Sequence, residues 1–583
     1  MKKNKHNFYF LAMVMLLFAI GNYLVISSDI IPPLHDANVC YSDSIRYFKA
    51  FIHDFKVDNL KILFTNINSY SPLYMLAPFP FYIIFGPTAN VMAMFNLFYV
   101  FILVVALYKI ANFLYGKPAG LLAAILLLTF PSIVGFSRVT HMNIAITSIL
   151  ALNVYFLLKA NNYHNKVFSL WAGITALIGG LIGLKYIIYF AGIVLVSLGS
   201  SFCSQFLIPK KDRKRVLLNV AIFLLCAILF SALFYYFLTS SFDLPDDSKV
   251  EGRSYNFKWE GFLAAITGFK VDSFFLNLGN YFQLLRQHIL FPNFLLFLMS
   301  VFFIGVNLFK LNHRIIFFGW LLSPILLLSL LAFANLELIG TQPRFLLPVL
   351  PAVVIMIAGL LSKLRRLMKR YFLYRGEIAF AAAVVIVLFL NYGFFLKHYP
   401  YPQNSSELLG RRVQFGILRP VSERCPVSGL LSFLEARVMG REDKAYLLVI
   451  FEDNNNTAPL SLEIIYDQLR KRKLKIKLLT SMGLSIYSLN HLHNFEENSN
   501  FIKKVFMSTD YILYIKNKSG IKTMGRVEEQ YYRSNKSLKE MFFKKKNKLK
   551  LIWRHQAYPQ DFFNDTLLLF SFQPELSGAT GEE

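Results

Sequence analysis

Residues 36 to 47, DANVCYSDSIRY, set two carboxylates, an arginine and a tyrosine just after a long apolar run. If Ser42 to Val57 is helical, Asp43, Arg46 and Tyr47 stand at i, i+3 and i+4 and are neighbours. A carboxylate placed this way can take a proton from an attacking group, and a fixed cation can hold an anion. The same residues have a plainer reading. Ile45, Phe48, Phe51, Ile52 and Phe55 share one face, while Asp43, Arg46, Lys49, His53 and Asp54 share the other, as in a helix lying flat on a membrane surface. The acid and arginine would then form a surface pair worth under about 1 kcal/mol. Spacing alone leaves both readings open.

The elements that position these residues are apolar helices. The chain has 583 residues, 55% of them hydrophobic and 16% aromatic. A bilayer core about 30 Å thick needs about 20 apolar residues per crossing, which predicts about eleven spans. They fall at 8–27, 91–114, 119–136, 142–158, 169–183, 186–206, 216–238, 289–309, 315–334, 345–361 and 378–396. The first has a basic start and no clear small-x-small cleavage site, so it reads as an uncleaved anchor. The stretch Trp171–Phe202 is too long for one crossing, and Gly179, Gly180, Gly183 and Lys185 break it into two helices.

The net charge of +27 is topological and does not indicate nucleic acid. With the N-terminus inside, Lys and Arg collect in 2–7, 109–118, 159–168, 209–215, 310–314 and 362–377, where the only acids are Asp212 and Glu377. Asp36, Asp43, Arg46, Arg138, His141, Lys185, Glu337 and Arg344 all fall on the outer side. So do the loop 239–288, which holds Asp243, Asp246, Asp247 and SYNFKWEGF, and everything after Lys397. The tail changes character. KAYLLVIF, LKIKLL and STDYILYI read as strands around a helical PLSLEIIYDQLRKR, which predicts a small α/β domain. Its basic run FFKKKNKLK reads as a solvated face, or as a contact for anionic headgroups. The cysteines Cys40, Cys203, Cys226 and Cys425 form no CxxC pair. The expected fold is thus an all-α polytopic membrane module, residues 1–398, with amphipathic helix in its first outer loop and an extracytoplasmic α/β domain at 399–583.

A series of motifs resembles the GT-C glycosyltransferases, in the branch holding protein O-mannosyltransferases and lipid A aminoarabinose transferases. DSIRY is similar to a DETRY-type motif, which places Asp43, Arg46 and Tyr47 on its Asp, Arg and Tyr. YSPLYMLAPFPFYIIFG matches a PPL-type element. YGKPAGLLAAILLLTFPSIVGFSRVTHMNIAI is similar to a G-x-x-AGLLAA…P…SR…D stretch. GGLIGLKY places Lys185 on an LTK-type lysine, and TQPRFLLPVLPAV places Arg344 on a PRYLLPLLPA arginine. The likeness spans about residues 8–360. Ser44 replaces the usual second acid, and Asn143 stands where an Asp is common. In a second alignment PPLHDA supplies the acid, with Asp36 as the base.

The resemblance implies an envelope enzyme that moves a sugar from a polyprenyl-phosphate donor to a protein, lipid A or another glycan on the extracytoplasmic side. It implies Asp43, or Asp36, as general base, and Arg46, Lys185, Arg344 and Arg138 at the donor phosphate. Tyr47, His141 and Glu337 are expected near the substrate. No metal is required on this account. Each cation also has a bland reading: Lys185 snorkels to lipid, Arg344 anchors the helix it precedes, and His141 is a loop residue. A flippase or ligase for lipid-linked sugars, or a membrane-anchored assembly protein, are the competing classes. A flippase predicts charges inside spans, whereas here they sit mostly at span ends.

Overall fold

The computed structural model describes residues 2–29, 36–53, 72–183, 185–205, 210–240, 271–305, 307–308, 310–333 and 343–399. In the tail it describes residue 417, helix 427–438 and seven strands with a few flanking residues. The helices in chain order are α1 (Lys2–Ser28), α2 (Asp36–His53), α3 (Pro72–Leu76), α4 (Phe79–Phe85), α5 (Ala89–Tyr115), α6 (Lys117–Leu128), α7 (Pro131–Phe136), α8 (Asn143–Ala160), α9 (Lys166–Ile182), α10 (Tyr186–Gln205) and α11 (Lys210–Ser240). They continue with α12 (Val271–Ile289), α13 (Phe291–Gly305), α14 (Leu311–Arg314), a π-helical stretch Ile315–Leu322, α15 (Ser323–Phe333), a 3₁₀ segment Pro343–Val349, α16 (Leu350–His398) and, in the tail, α17 (Val427–Val438).

Among the described residues, 7 helices are long and apolar enough to cross a membrane. They include α1, α5, α8, α10, the run through α14 to α15, and both halves of α16. The expected spans at 119–136, 169–183 and 289–309 fall on shorter apolar helices: α6, α9 and α13. The expected span at 216–238 lies within α11. The chain is an integral, multi-pass membrane protein.

Sequence predicted separate spans at 345–361 and 378–396, whereas the helix Leu350–His398 runs through 49 residues. A straight helix of that length would be about 74 Å long. It is folded back on itself instead. Glu377 lies 3.3 Å from Arg365 and 3.2 Å from Lys369, although a straight helix would put residue 365 about 18 Å away along its axis. The bend lies between Met368 and Gly376, where the chain comes so close that a Cβ added at Gly376 would meet the Met368 carbonyl and lie 3.1 Å from Phe372 Cβ.

The predicted break between α9 and α10 is present. Gly183 is extended there, and Gly179 lies face-on to the Tyr186 ring, with no room for a Cβ between them. Two expectations are corrected. The loop expected over 239–288 contains α12, which buries Tyr281, Leu285, His288 and Ile289 at i, i+4, i+7 and i+8. Helix α2 starts at Asp36, six positions before the expected start at Ser42, and is described to His53.

In the tail, β1 (Ala445–Phe451), β3 (Ile476–Thr480), β4 (Tyr511–Lys516), β6 (Leu549–His555) and β7 (Thr566–Phe572) form a sheet of order β3-β1-β4-β7-β6. The first three are parallel, and β7 and β6 run antiparallel to their neighbours. β2 (Thr457–Ala458) and β5 (Ile521–Lys522) make a separate pair. The expected strands are β1, β3 and β4, while the expected helix at 459–472 lies outside the described residues. The basic run 542–550 ends in β6.

Candidate active site

Helix α2 packs into the protein and buries Ile45 and Phe48 of its apolar face together with neighbours from outside it. Cys40, Tyr41, Ser44, Ile45, Tyr47 and Phe48 are buried, whereas Phe51 and Ile52 are 40% and 52% exposed. Asp43 had been expected on the polar face. It is half-buried, with buried Cys40, Ser44 and Tyr47 beside it on the helix. Asp36 is the first residue of the same helix, where a carboxylate suits the positive end of the dipole. The two candidate bases are therefore about 10 Å apart along one axis. Arg46 lies on α2 too, but its side chain is outside the described residues, as is the whole of Glu337.

Ser44 shows what fixes α2. Its hydroxyl donates to the Met75 carbonyl at 2.7 Å and lies 3.2 Å from the Tyr82 hydroxyl. Phe48 packs edge-on against Phe79 and Tyr82 with ring centroids 5.4 and 5.2 Å away. So the residue that replaces an acid in the family pattern pins α2 to the α3–α4 segment. From there, the Tyr74 hydroxyl donates to Asn96 Oδ1 at 3.1 Å, and Asn96 in turn donates to the Val139 carbonyl. A continuous line of bonds thus joins the Asp43 helix to the loop Ser137–Met142.

That loop carries two of the expected residues. Arg138 donates from Nε to Asn22 Oδ1 of α1 at 2.5 Å and from Nη1 to the Ile417 carbonyl at 3.0 Å. The Ile417 N–H returns to the Gly135 carbonyl at 3.1 Å. Desolvation brings the Arg138 guanidinium down to about 10, so it stays charged at neutral pH. His141 is buried at 3% exposure. Its Nδ1 lies 3.3 Å from the Asn143 backbone nitrogen and its Nε2 lies 3.3 Å from Arg344 Nη1; the tautomer with the proton on Nδ1 accepts from Arg344. Asn143 also donates to the Arg344 carbonyl, at 3.4 Å.

The two remaining cations meet at one ring. Lys185 Nζ lies 4.6 Å from the Phe345 centroid and Arg344 Cζ lies 5.5 Å from it. Phe345 is itself buried, and its carbonyl accepts from the Tyr189 hydroxyl at 2.8 Å. A cation facing an aromatic ring gains about 0.5–2 kcal/mol, and the ring imposes one spacing on both. Lys185, Arg344, His141, Asn143 and Phe345 therefore form one cluster, built from the α9–α10 turn, the start of α8 and the 3₁₀ segment. Phe345, Asn143 and Ser44 were not predicted as site residues. PRF, an aromatic directly after the candidate arginine, was the visible signal for Phe345. Among the described residues, no group of three or more His, Cys, Asp or Glu side chains gathers into a possible metal site.

Apolar helices in this order, with motif residues clustered at helix ends, define a polytopic membrane protein. Comparison with known proteins agrees. Residues 72–238 match the family described as dolichyl-phosphate-mannose-protein mannosyltransferase, a stretch that includes Lys185 but neither Asp43 nor Arg344. The structure is similar to ArnT from Cupriavidus metallidurans bound to undecaprenyl phosphate, with a TM-score of 0.53 and 11% identity, covering 96% of this chain and 97% of that one. It is similar to the apo state of the same protein, with a TM-score of 0.52 and 12% identity over the same shares. The archaeal oligosaccharyltransferase AglB from Archaeoglobus fulgidus scores 0.43 at 12% identity, covering 87% of this chain and 69% of that one. No curated protein sequence matches the chain.

Proposed function

We propose that this protein is a membrane glycosyltransferase that takes a sugar from a polyprenyl-phosphate donor at the extracytoplasmic surface. The observation that carries the proposal is the shared ring of Phe345, which holds Lys185 and Arg344 together beside His141. Two fixed cations suit the phosphate of a lipid donor whose tail stays in the bilayer. The fold supports this, since the similar ArnT was solved with undecaprenyl phosphate bound. The family matched by residues 72–238 is named for a dolichyl-phosphate-linked mannose donor.

In the reaction the acceptor oxygen attacks the anomeric carbon while the bond from that carbon to the phosphate oxygen breaks. The electron pair leaves on the phosphate, where Lys185 and Arg344 stabilise the growing charge. Asp43 accepts the proton lost by the acceptor. Its half-buried place on a pinned helix keeps it oriented, and Asp36 is the alternative base on the same helix. Tyr47 shapes the wall beside Asp43, and His141 orients Arg344. Arg138 holds the loop to α1 and to residue 417 and keeps its proposed place at the donor phosphate. Arg46 and Glu337 keep their proposed places near phosphate and substrate. The acceptor is a protein, lipid A or another glycan, and the tail domain helps to select it.

The test is donor turnover by purified protein supplied with polyprenyl-phosphate sugars. Removing a general base costs about 10²–10⁴-fold in rate, so Asp43→Asn loses turnover by that factor while Asp36→Asn keeps it. The reverse result moves the base to Asp36. No turnover by folded wild type with any donor defeats the proposal. Turnover persists in EDTA, and its loss there would require a metal that this mechanism lacks.

A further inference from the structure

A second cationic site lies at the other end of α8. That helix has 18 residues, so about 27 Å of helix separates Asn143 from Ala160. At the far end an open cavity of about 450 Å³ sits between the α8–α9 turn and the start of α11. Lys159, His164, Lys166 and Arg215 line it with Asn161 and Asn165, and no acid is among the described lining residues.

The turn is held in an unusual shape. Asn161, Asn162 and Tyr163 have φ of 48°, 55° and 63°, and left-handed residues of this kind ordinarily occur singly. Their surroundings hold them there. Tyr163 is buried, its carbonyl accepts from Asn219 at 2.6 Å and its hydroxyl accepts from Ser197 at 3.2 Å. The Asn165 N–H closes the turn onto the Ala160 carbonyl at 3.1 Å. Lys159 is also fixed, its ammonium 4.4 Å from the Phe113 ring centroid. Inside-positive topology needs basic residues near the membrane, but it does not need them gathered around one cavity with one held on a ring.

The adjoining surface says which anion fits. Val167, Leu170 and Trp171 are 59%, 38% and 47% exposed, and at i, i+3 and i+4 they form one stripe along α9 leading away from the cavity. Trp171 stacks on Phe156 with centroids 6.0 Å apart. This gives an acyl chain a surface to lie on, which a soluble phosphate would not use.

We infer that the cavity binds the phosphate headgroup of an anionic membrane phospholipid, at the membrane face opposite the Lys185–Arg344 cluster. The test is native mass spectrometry of the full chain released from detergent with phosphatidylglycerol or phosphatidylcholine. Wild type retains phosphatidylglycerol preferentially. The double variant K166Q/R215Q, altered at two exposed side chains, loses that preference by roughly 30-fold, as expected for two basic residues at a lipid surface. Thermal melting of both proteins reports that the variant is folded. Equal retention of the two lipids by wild type, or an unchanged preference in the variant, overturns the proposal. Inorganic phosphate that raises the melting temperature of lipid-free protein as much as phosphatidylglycerol does would overturn the lipid as ligand.

Discussion

The two ends of α8 both gather positive charge, but they do it differently. At the His141 end, Lys185 and Arg344 come from distant parts of the chain and are spaced by a buried ring. A buried imidazole and the Asn143 side chain complete their surroundings. At the Lys159 end the cations come mainly from one connecting turn, two of them are exposed, and the cavity is open. Both ends use an aromatic ring to hold a lysine, Phe345 at one and Phe113 at the other, but only the first brings a second cation to the same ring.

The largest effect should come from removing the oriented pair. Lys185→Ala with Arg344→Ala deletes two charge-assisted contacts, each worth about 1.5–3 kcal/mol. Donor kcat/KM should fall by about 10²–10⁴-fold, with the protein still folded by its far-ultraviolet circular dichroism. A smaller effect follows from sparing both cations and removing their spacer. Phe345→Leu loses up to about 2 kcal/mol of ring attraction, so donor KM should rise by up to about 30-fold while Asp43 chemistry remains. An unchanged KM would show that the ring does not order the cations. Ser44→Asp restores the acid common at this place but sets it against the Met75 carbonyl. A carboxylate cannot donate to that carbonyl, so the change should cost at least about 1–3 kcal/mol of stability, read as a lower denaturant midpoint. At the open end of α8, K166Q/R215Q should leave turnover within about two-fold, because surface charges of this kind contribute under about 1 kcal/mol.

Sequence showed most of the membrane part because helix ends there are marked by glycine and by charge. The glycines and lysine of GGLIGLKY placed the α9–α10 break correctly, and the basic loops ordered the spans. It showed less of the parts whose face is set by tertiary packing. Periodicity gave α2 an apolar face, of which Ile45 and Phe48 are buried; it did not show that Cys40, Ser44 and Tyr47 turn inward, because α3 and α4 offer a carbonyl and aromatic rings there. Helix α12 escaped notice because its buried Tyr281 and His288 are spaced among Asn, Gln and Arg, which made the segment read as loop. In the tail, β1, β3 and β4 were apolar runs, whereas β6 was hidden in a basic stretch and is an edge strand. Of the site, Lys185 and Arg344 were legible by motif. Their meeting at Phe345 was not, since nothing local in the sequence links residue 185 to residue 345.

The fold-back of the helix Leu350–His398 has a consequence for how the protein is made. Glu377 bridges Arg365 and Lys369 across the bend between Met368 and Gly376, so the two apolar halves are clasped at their basic junction. A segment fastened this way can enter the lipid as one hairpin, with both arms going in together.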